Sequence, residues 1–131
     1  MYKKIEICKV SSDVKSSLYF AENFNFKTKR FFYVLDINMG EKRGAHAHKE
    51  TSQLLWVTEG SLMIEALDER GNTILSEKLS VNSDAILFDP YVWLNIESLQ
   101  DGTSFFCLTD ANYSEDDYIR NPKDFFVKKF K

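Results

Sequence analysis

The sequence predicts an all-β domain, a sandwich or barrel of short strands with a short helical segment at the C-terminal end. Three observations predict it. Aromatic residues make up 15% of the 131 residues and, together with many Val, Ile and Leu, favour strands over helices. Short apolar runs recur at nearly even spacing between Gly, Asn, Asp and Pro turn signals. Helical periodicity is confined to the end of the chain.

The elements follow in order. Ile5–Val10 reads as a first strand, Ser17–Glu22 as a second and Arg30–Asn38 as a third, ended by Gly40. Gln53–Thr58 and Ser61–Leu67 flank a tight turn at Glu59-Gly60. The polar hairpin loop Asp68-Glu69-Arg70-Gly71-Asn72 leads into Thr73–Leu79. Ala85–Phe88 runs to Asp89-Pro90, Val92–Glu97 follows, and Thr103–Leu108 closes the series. A helical turn near Glu115-Asp116-Asp117 and an apolar-periodic piece over Pro122–Phe130 complete the chain. With no repeat, low-complexity stretch or linker, residues 1–131 are expected to form one domain.

Composition narrows the function classes. A formal net charge of -3, with no basic cluster larger than Lys128, Lys129 and Lys131, argues against a nucleic-acid partner. No apolar stretch has the length of a membrane span, and Met1-Tyr2-Lys3-Lys4-Ile5-Glu6 lacks a signal peptide's apolar region. A cytoplasmic setting with no membrane partner is the expectation. Cys8 and Cys107, each inside a strand-like run, are expected to be buried free thiols.

The chemistry concentrates in Gly40-Glu41-Lys42-Arg43-Gly44-Ala45-His46-Ala47-His48. Two residues apart in an extended segment, His46 and His48 point to one face, with Ala45 and Ala47 on the other. They are the only histidines in the chain. Imidazole is the side chain whose ordinary pKa suits proton transfer near neutrality.

These residues resemble the first signature of the cupins. That pattern reads here as Gly40, His46, His48, Gln53 and Gly60 at matching spacing, with Gln in place of Glu. The second cupin motif resembles Asp84–Asn95, with Asn95 where a third histidine would stand. The resemblance implies a cupin fold, a double-stranded β-helix or jelly-roll barrel. A metal cupin uses three imidazoles and one carboxylate, whereas this chain offers two imidazoles and the amides of Gln53 and Asn95. Amides bind transition metals weakly, so no metal and no other cofactor is expected, and no Gly-rich phosphate loop is present.

A narrower resemblance runs from Asp13 to Phe126. Arg43-Gly44-Ala45-His46-Ala47-His48-Lys49 and Tyr113-Ser114-Glu115-Asp116-Asp117-Tyr118-Ile119-Arg120 look like the two end motifs of the sugar 3,4-ketoisomerases, the WxcM-like proteins. Gln53, Gly60-Ser61, Asp89-Pro90 and Val92-Trp93 sit between them where that family has similar residues. At the start, Asp13-Val14-Lys15-Ser16-Ser17-Leu18 departs from the family's Arg-Gly, and Lys15 offers a point charge in its place.

What this resemblance implies is isomerisation of dTDP-4-keto-6-deoxyglucose to a 3-keto isomer through an enediol, serving 3-amino sugar biosynthesis. His48 is assigned as the base at carbon 3 and His46 as its proton-shuttling partner, with the reverse order left open. Tyr33 is a candidate acid or oxyanion donor. Arg43 and Arg30 are candidates for the pyrophosphate or the sugar, Gln53 and Asn95 for sugar hydroxyls or the thymine ring, and Trp93 for stacking on the base. Asp117, Tyr118 and Arg120 are read as anchors of the C-terminal segment. Rival readings are a 3,5-epimerase on the same sugar nucleotide and a non-catalytic sugar-binding module. A homodimer is expected, with exchanged N-terminal strands as one form of it.

Overall fold

The structure, a computed structural model, describes residues 1–10 and 15–127. Asp13 and Val14 of the N-terminal motif, and the tail lysines 128, 129 and 131, lie outside them. Among the described residues, twelve strands form in chain order: β1 (Tyr2–Ile5), β2 (Cys8–Val10), β3 (Leu18–Phe20), β4 (Arg30–Ile37), β5 (Lys42–His48), β6 (Gln53–Glu59), β7 (Ser61–Leu67), β8 (Thr73–Ser80), β9 (Ala85–Phe88), β10 (Trp93–Ser98), β11 (Thr103–Thr109) and β12 (Tyr118–Ile119). A 3-10 turn, Glu115–Asp117, precedes β12, and a four-residue helix α1 (Pro122–Phe125) follows it.

Two five-stranded sheets, ordered β1-β9-β6-β11-β4 and β12-β5-β10-β7-β8, face each other. Every strand pair is antiparallel. This is the all-β cupin sandwich that the sequence predicts. Leu55, Leu62, Ile64, Ala66, Ile86 and Cys107, all fully buried, fill the space between the sheets. Alternation along β6, β7, β9 and β11 directs these side chains inward, and burying each large one contributes about 1.5–3 kcal/mol.

The first expected strand is two. β1 pairs with β9, whereas β2 pairs only with β3 as a separate ribbon. Glu6 and Ile7 form the break between them, with Ile7 N–H donating to Asp84 Oδ1 at 3.2 Å. Of the periodic piece expected over Pro122–Phe130, the described part is helical over Pro122–Phe125, where Asn121 caps it by accepting from Lys123 N–H at 2.9 Å, and residues 128–130 lie outside the described residues. Cys107 is buried and Cys8 half-buried, and both thiols are free. Among the described residues, no helix is long and apolar enough to cross a membrane.

Two strand irregularities set the site. In β4, Asp36 adopts φ +55° and adds a residue opposite β11, where Thr103 pairs with Ile37 but Phe105 pairs with Val34. The bulge turns Ile37 into the core, at 2% exposure, although its odd-numbered neighbours Phe31, Tyr33 and Leu35 face out. In β5, Ala45 at φ +58° is the extra residue, since His46 pairs with Leu94 while Gly44 pairs with Asn95.

Gly44 is required beside that bulge. Its φ is +85°, and a Cβ there would lie 2.7 Å from the Leu94 carbonyl oxygen, in the backbone of the paired strand. Gly44→Ala is therefore expected to destabilise the fold by about 1–3 kcal/mol, measured as a lower urea midpoint at unchanged slope.

Candidate active site

A cavity of about 510 Å³ opens between the sheets, bounded by β4, β5, β6, β10 and the C-terminal segment. Its apolar wall is Phe32, Val34, Leu94, Ile96 and Phe105, and its cations are Arg30, Lys42, Arg43 and Arg120. His46 and Gln53 complete the polar lining together with Tyr118. A small recess at the rear is shared by His46, His48, Thr51 and Gln53. His46 thus faces the main cavity and His48 lies behind it, at 9% exposure.

The two imidazoles share a face, as their spacing predicts, because both follow the Ala45 bulge. Their ring centroids are 5.2 Å apart and their planes perpendicular. Ala47, between them, is buried on the opposite face under Trp93, Ile119 and Phe125.

Their surroundings differ. His46 Nδ1 lies 3.1 Å from the Gly44 carbonyl oxygen. A carbonyl only accepts, so Nδ1 carries the proton and Nε2 keeps its lone pair. Burial, reinforced by repulsion from the neighbouring His48, lowers the His46 pKa to about 4 despite the Gly44 carbonyl. At neutral pH His46 is an uncharged base.

His48 Nδ1 donates instead to Asp117 Oδ2 at 2.8 Å. The same oxygen accepts from the Thr51 hydroxyl at 2.6 Å, and Oδ1 accepts from Glu50 N–H at 2.7 Å. Burial pushes the Asp117 carboxyl upward, but the bonds from Thr51, His48 and Glu50 outweigh it and hold the group below its usual range. The carboxylate arrives there because β12 pairs with β5, placing Tyr118 opposite His48 and Ile119 opposite Ala47. Lys49 N–H donates to the Asp117 carbonyl at 2.8 Å, which fixes the turn.

The C-terminal segment also builds the cavity mouth. The Tyr118 ring packs on both imidazoles, with centroids 4.9 Å from His46 and 4.4 Å from His48. The Arg120 guanidinium lies 4.2 Å over the Tyr118 ring and donates twice to Glu115, at 2.6 and 3.1 Å. Those bonds, with one from the Tyr113 hydroxyl, lower the Glu115 pKa to about 2. Asp117, Tyr118 and Arg120 tie the segment down, and in doing so Tyr118 and Arg120 become walls of the cavity while Asp117 stays behind His48.

Of the residues expected from sequence, His46, Gln53, Arg43 and Arg30 line the cavity. Gln53 donates from Nε2 to Cys107 Sγ at 3.4 Å, and burial raises the Cys107 thiol to about 12. Arg30 stacks over Phe32 at 4.7 Å and Tyr113 at 5.3 Å.

Of the other expected residues, Tyr33 stands at the rim and two, Trp93 and Asn95, face elsewhere. Tyr33 borders the cavity, but its side chain is 60% exposed and packs on the outer sheet face against Phe31, at 5.7 Å. The inward neighbours on β4 are Phe32 and Val34. Trp93 and Asn95 lie on the outer face of β10, because Leu94 and Ile96 take the inward positions. Trp93 is buried against Phe125 and Phe126, and it donates from Nε1 to Asn95 Oδ1 at 3.2 Å. Asn95 in turn donates to Glu65 at 3.1 Å.

The donor set does not fit a cupin metal centre. The amide at the third-histidine position points away from the imidazoles, and Asp117 is committed to His48, Thr51 and Glu50. Among the described residues, no group of three or more His, Cys, Asp or Glu side chains converges to hold an ion.

Comparison with known proteins agrees with this geometry. A TDP-4-oxo-6-deoxy-α-D-glucose 3,4-oxoisomerase of Aneurinibacillus thermoaerophilus is 33% identical over 104 residues, 79% of this chain and 73% of that protein. The crystal structure of a 3,4-ketoisomerase from Helicobacter canadensis superposes with a TM-score of 0.84 at 30% identity, over 95% of this chain and 93% of that one. A TDP-quinovose 3,4-ketoisomerase from Campylobacter jejuni gives a TM-score of 0.81 at 26% identity, over 95% of each chain. The family model described as FdtA, WxcM-like, C-terminal, matches residues 1–130, and the chain belongs to that family.

Proposed function

We propose that this protein is a sugar-nucleotide 3,4-ketoisomerase that converts dTDP-4-keto-6-deoxy-D-glucose to a dTDP-3-keto-6-deoxyhexose by acid–base proton transfer alone. The observation that carries the reading is the pair of imidazoles, 5.2 Å apart and unlike in charge environment, at the base of a cavity rimmed by cations. The relatives named above are 3,4-ketoisomerases and a 3,4-oxoisomerase, which supports it.

The reaction needs a proton removed from carbon 3 and one returned to carbon 4, while the oxygens exchange roles. Neutral His46, facing the cavity, takes the carbon-3 proton on Nε2. Protonated His48, behind it, gives a proton to the oxygen at carbon 4, and the enediol results. His46 then delivers its proton to carbon 4 while His48 recovers one from the oxygen at carbon 3. Both rings return to their starting states. This reverses the order assigned first from sequence; the forward placement of His46 and the neutral state in which burial keeps its ring support the change.

Arg30 and Arg43, joined by Lys42 and Arg120, are placed to hold the diphosphate, because guanidinium pairs with phosphate oxygens. Phe32, Val34, Leu94, Ile96 and Phe105 suit the methyl of a 6-deoxy sugar. A 3-keto product is the substrate an aminotransferase needs to make a 3-amino-3,6-dideoxy sugar, for a surface glycan such as lipopolysaccharide. We place the enzyme in the cytoplasm, where nucleotide sugars are made. Incubation with dTDP-4-keto-6-deoxyglucose in deuterated water tests the reading. Exchange at carbon 3 with a new 3-keto product is expected; exchange at carbon 5 would mean an epimerase, and no exchange a binding module.

We also propose a homodimer. Phe31, Tyr33 and Leu35 on β4 are 56–60% exposed and adjoin Phe106 and Trp56 on the same outer face, an apolar patch that suits a second copy. Light scattering is expected to give twice the 15.3 kDa of one chain, and Tyr33→Glu to shift the mass towards one.

A further inference from the structure

We propose that Asp117 is a positioning residue for the isomerisation, holding His48 in the tautomer and charge state from which it donates its proton, with Thr51 holding Asp117 in turn. The inference rests on the ketoisomerase reading for its activity test but not for its spectroscopic one.

The argument starts from what each imidazole contacts through Nδ1. His46 meets a neutral carbonyl and His48 a carboxylate. A carboxylate oxygen at 2.8 Å does two things to an imidazole. It fixes the proton on Nδ1, so that Nε2 is the atom free to exchange protons, and it stabilises the positive charge once Nε2 is protonated. Two rings that would otherwise repel each other as cations are thereby given separate states.

The carboxylate can do this only if it stays ionised and still. Its side chain is only 12% exposed, and it receives three hydrogen bonds: His48 and Thr51 on Oδ2, Glu50 N–H on Oδ1. Thr51 is itself buried, at 5% exposure, and its hydroxyl donates at 2.6 Å. No part of Asp117 lines the main cavity, so it acts through His48 rather than on substrate.

Asp117→Asn keeps the shape and removes the charge. Its kcat is expected to fall about a hundredfold, a share of the 10²–10⁴ that acid–base catalysis supplies, with KM within about twofold of wild type. Asp117→Glu restores part of the loss by returning a carboxylate. Thr51→Val, further from the imidazole, gives a smaller fall in kcat and guards against a misfolded Asn variant.

The readout independent of substrate is a long-range proton–nitrogen NMR correlation on the labelled protein. With two histidines in the chain, His46→Asn assigns the remaining signals. Wild type is expected to show His48 protonated on Nδ1 with a strongly hydrogen-bonded proton, and Asp117→Asn to lose that signal. An unchanged His48 signal in Asp117→Asn, or a kcat equal to wild type, would overturn the proposal. A wild type that exchanges nothing at carbon 3 would remove the ketoisomerase reading instead and leave the NMR result to decide Asp117.

Discussion

His46→Asn is expected to lower kcat by about 10²–10⁴-fold, the range supplied by a general base, while dTDP-sugar binding stays measurable. Asparagine fills most of the ring's space but cannot take a proton, so the carbon-3 hydrogen has no acceptor at the cavity face. The fold should survive, since His46 is half-buried and its one hydrogen bond is to the Gly44 carbonyl. The pH dependence is fixed by the same group. A base held neutral down to about 4 gives kcat/KM an acid limb near that pH rather than near the ordinary histidine value of 6.5. Steady-state rates across mildly acidic buffers read both the limb and the loss. A limb near 6.5 in wild type would mean that burial does not act on the base.

His48→Asn is expected to cost at least about a hundredfold in kcat, and unlike His46→Asn to cost stability as well. The His48 side chain is about 10% exposed and donates to Asp117, so its loss leaves a poorly solvated carboxylate short of one partner. An unsatisfied buried polar group costs about 1–3 kcal/mol. A lower melting temperature for His48→Asn than for His46→Asn separates the two roles. Equal melting temperatures, or near wild-type turnover, would count against the paired-acid assignment.

Much of this site was legible in the chain. Period-two alternation holds from His46 to His48, so the shared face followed from spacing alone, and it survived because the Ala45 bulge comes before both rings. Gln53, Arg30 and Arg43 reached the cavity as expected. Tyr33 reaches only the cavity's border, with most of its side chain on the outer face, because β4 reads Phe-Phe-Tyr-Val-Leu, apolar on both faces, and such a run carries no polarity to say which side faces inward. On β10 the pattern was readable: Leu94 and Ile96 are the apolar pair that turns inward, which leaves Asn95, at the third-histidine position of the motif, on the outer face. Asp117 was marked by its motif as an anchor, but its contact with His48 was hidden for a different reason. It meets His48 across 69 residues of chain, through a two-residue strand too short to leave a periodic signal.

The division of labour between the two rings is tested most directly by following the carbon-3 hydrogen of dTDP-4-keto-6-deoxyglucose by NMR in deuterated water with the His46→Asn protein. That signal should persist for as long as it takes wild type to exchange it completely many times over. Loss of the carbon-3 signal at the wild-type rate in His46→Asn, with His48→Asn abolishing it, would contradict the assignment and make His48 the base.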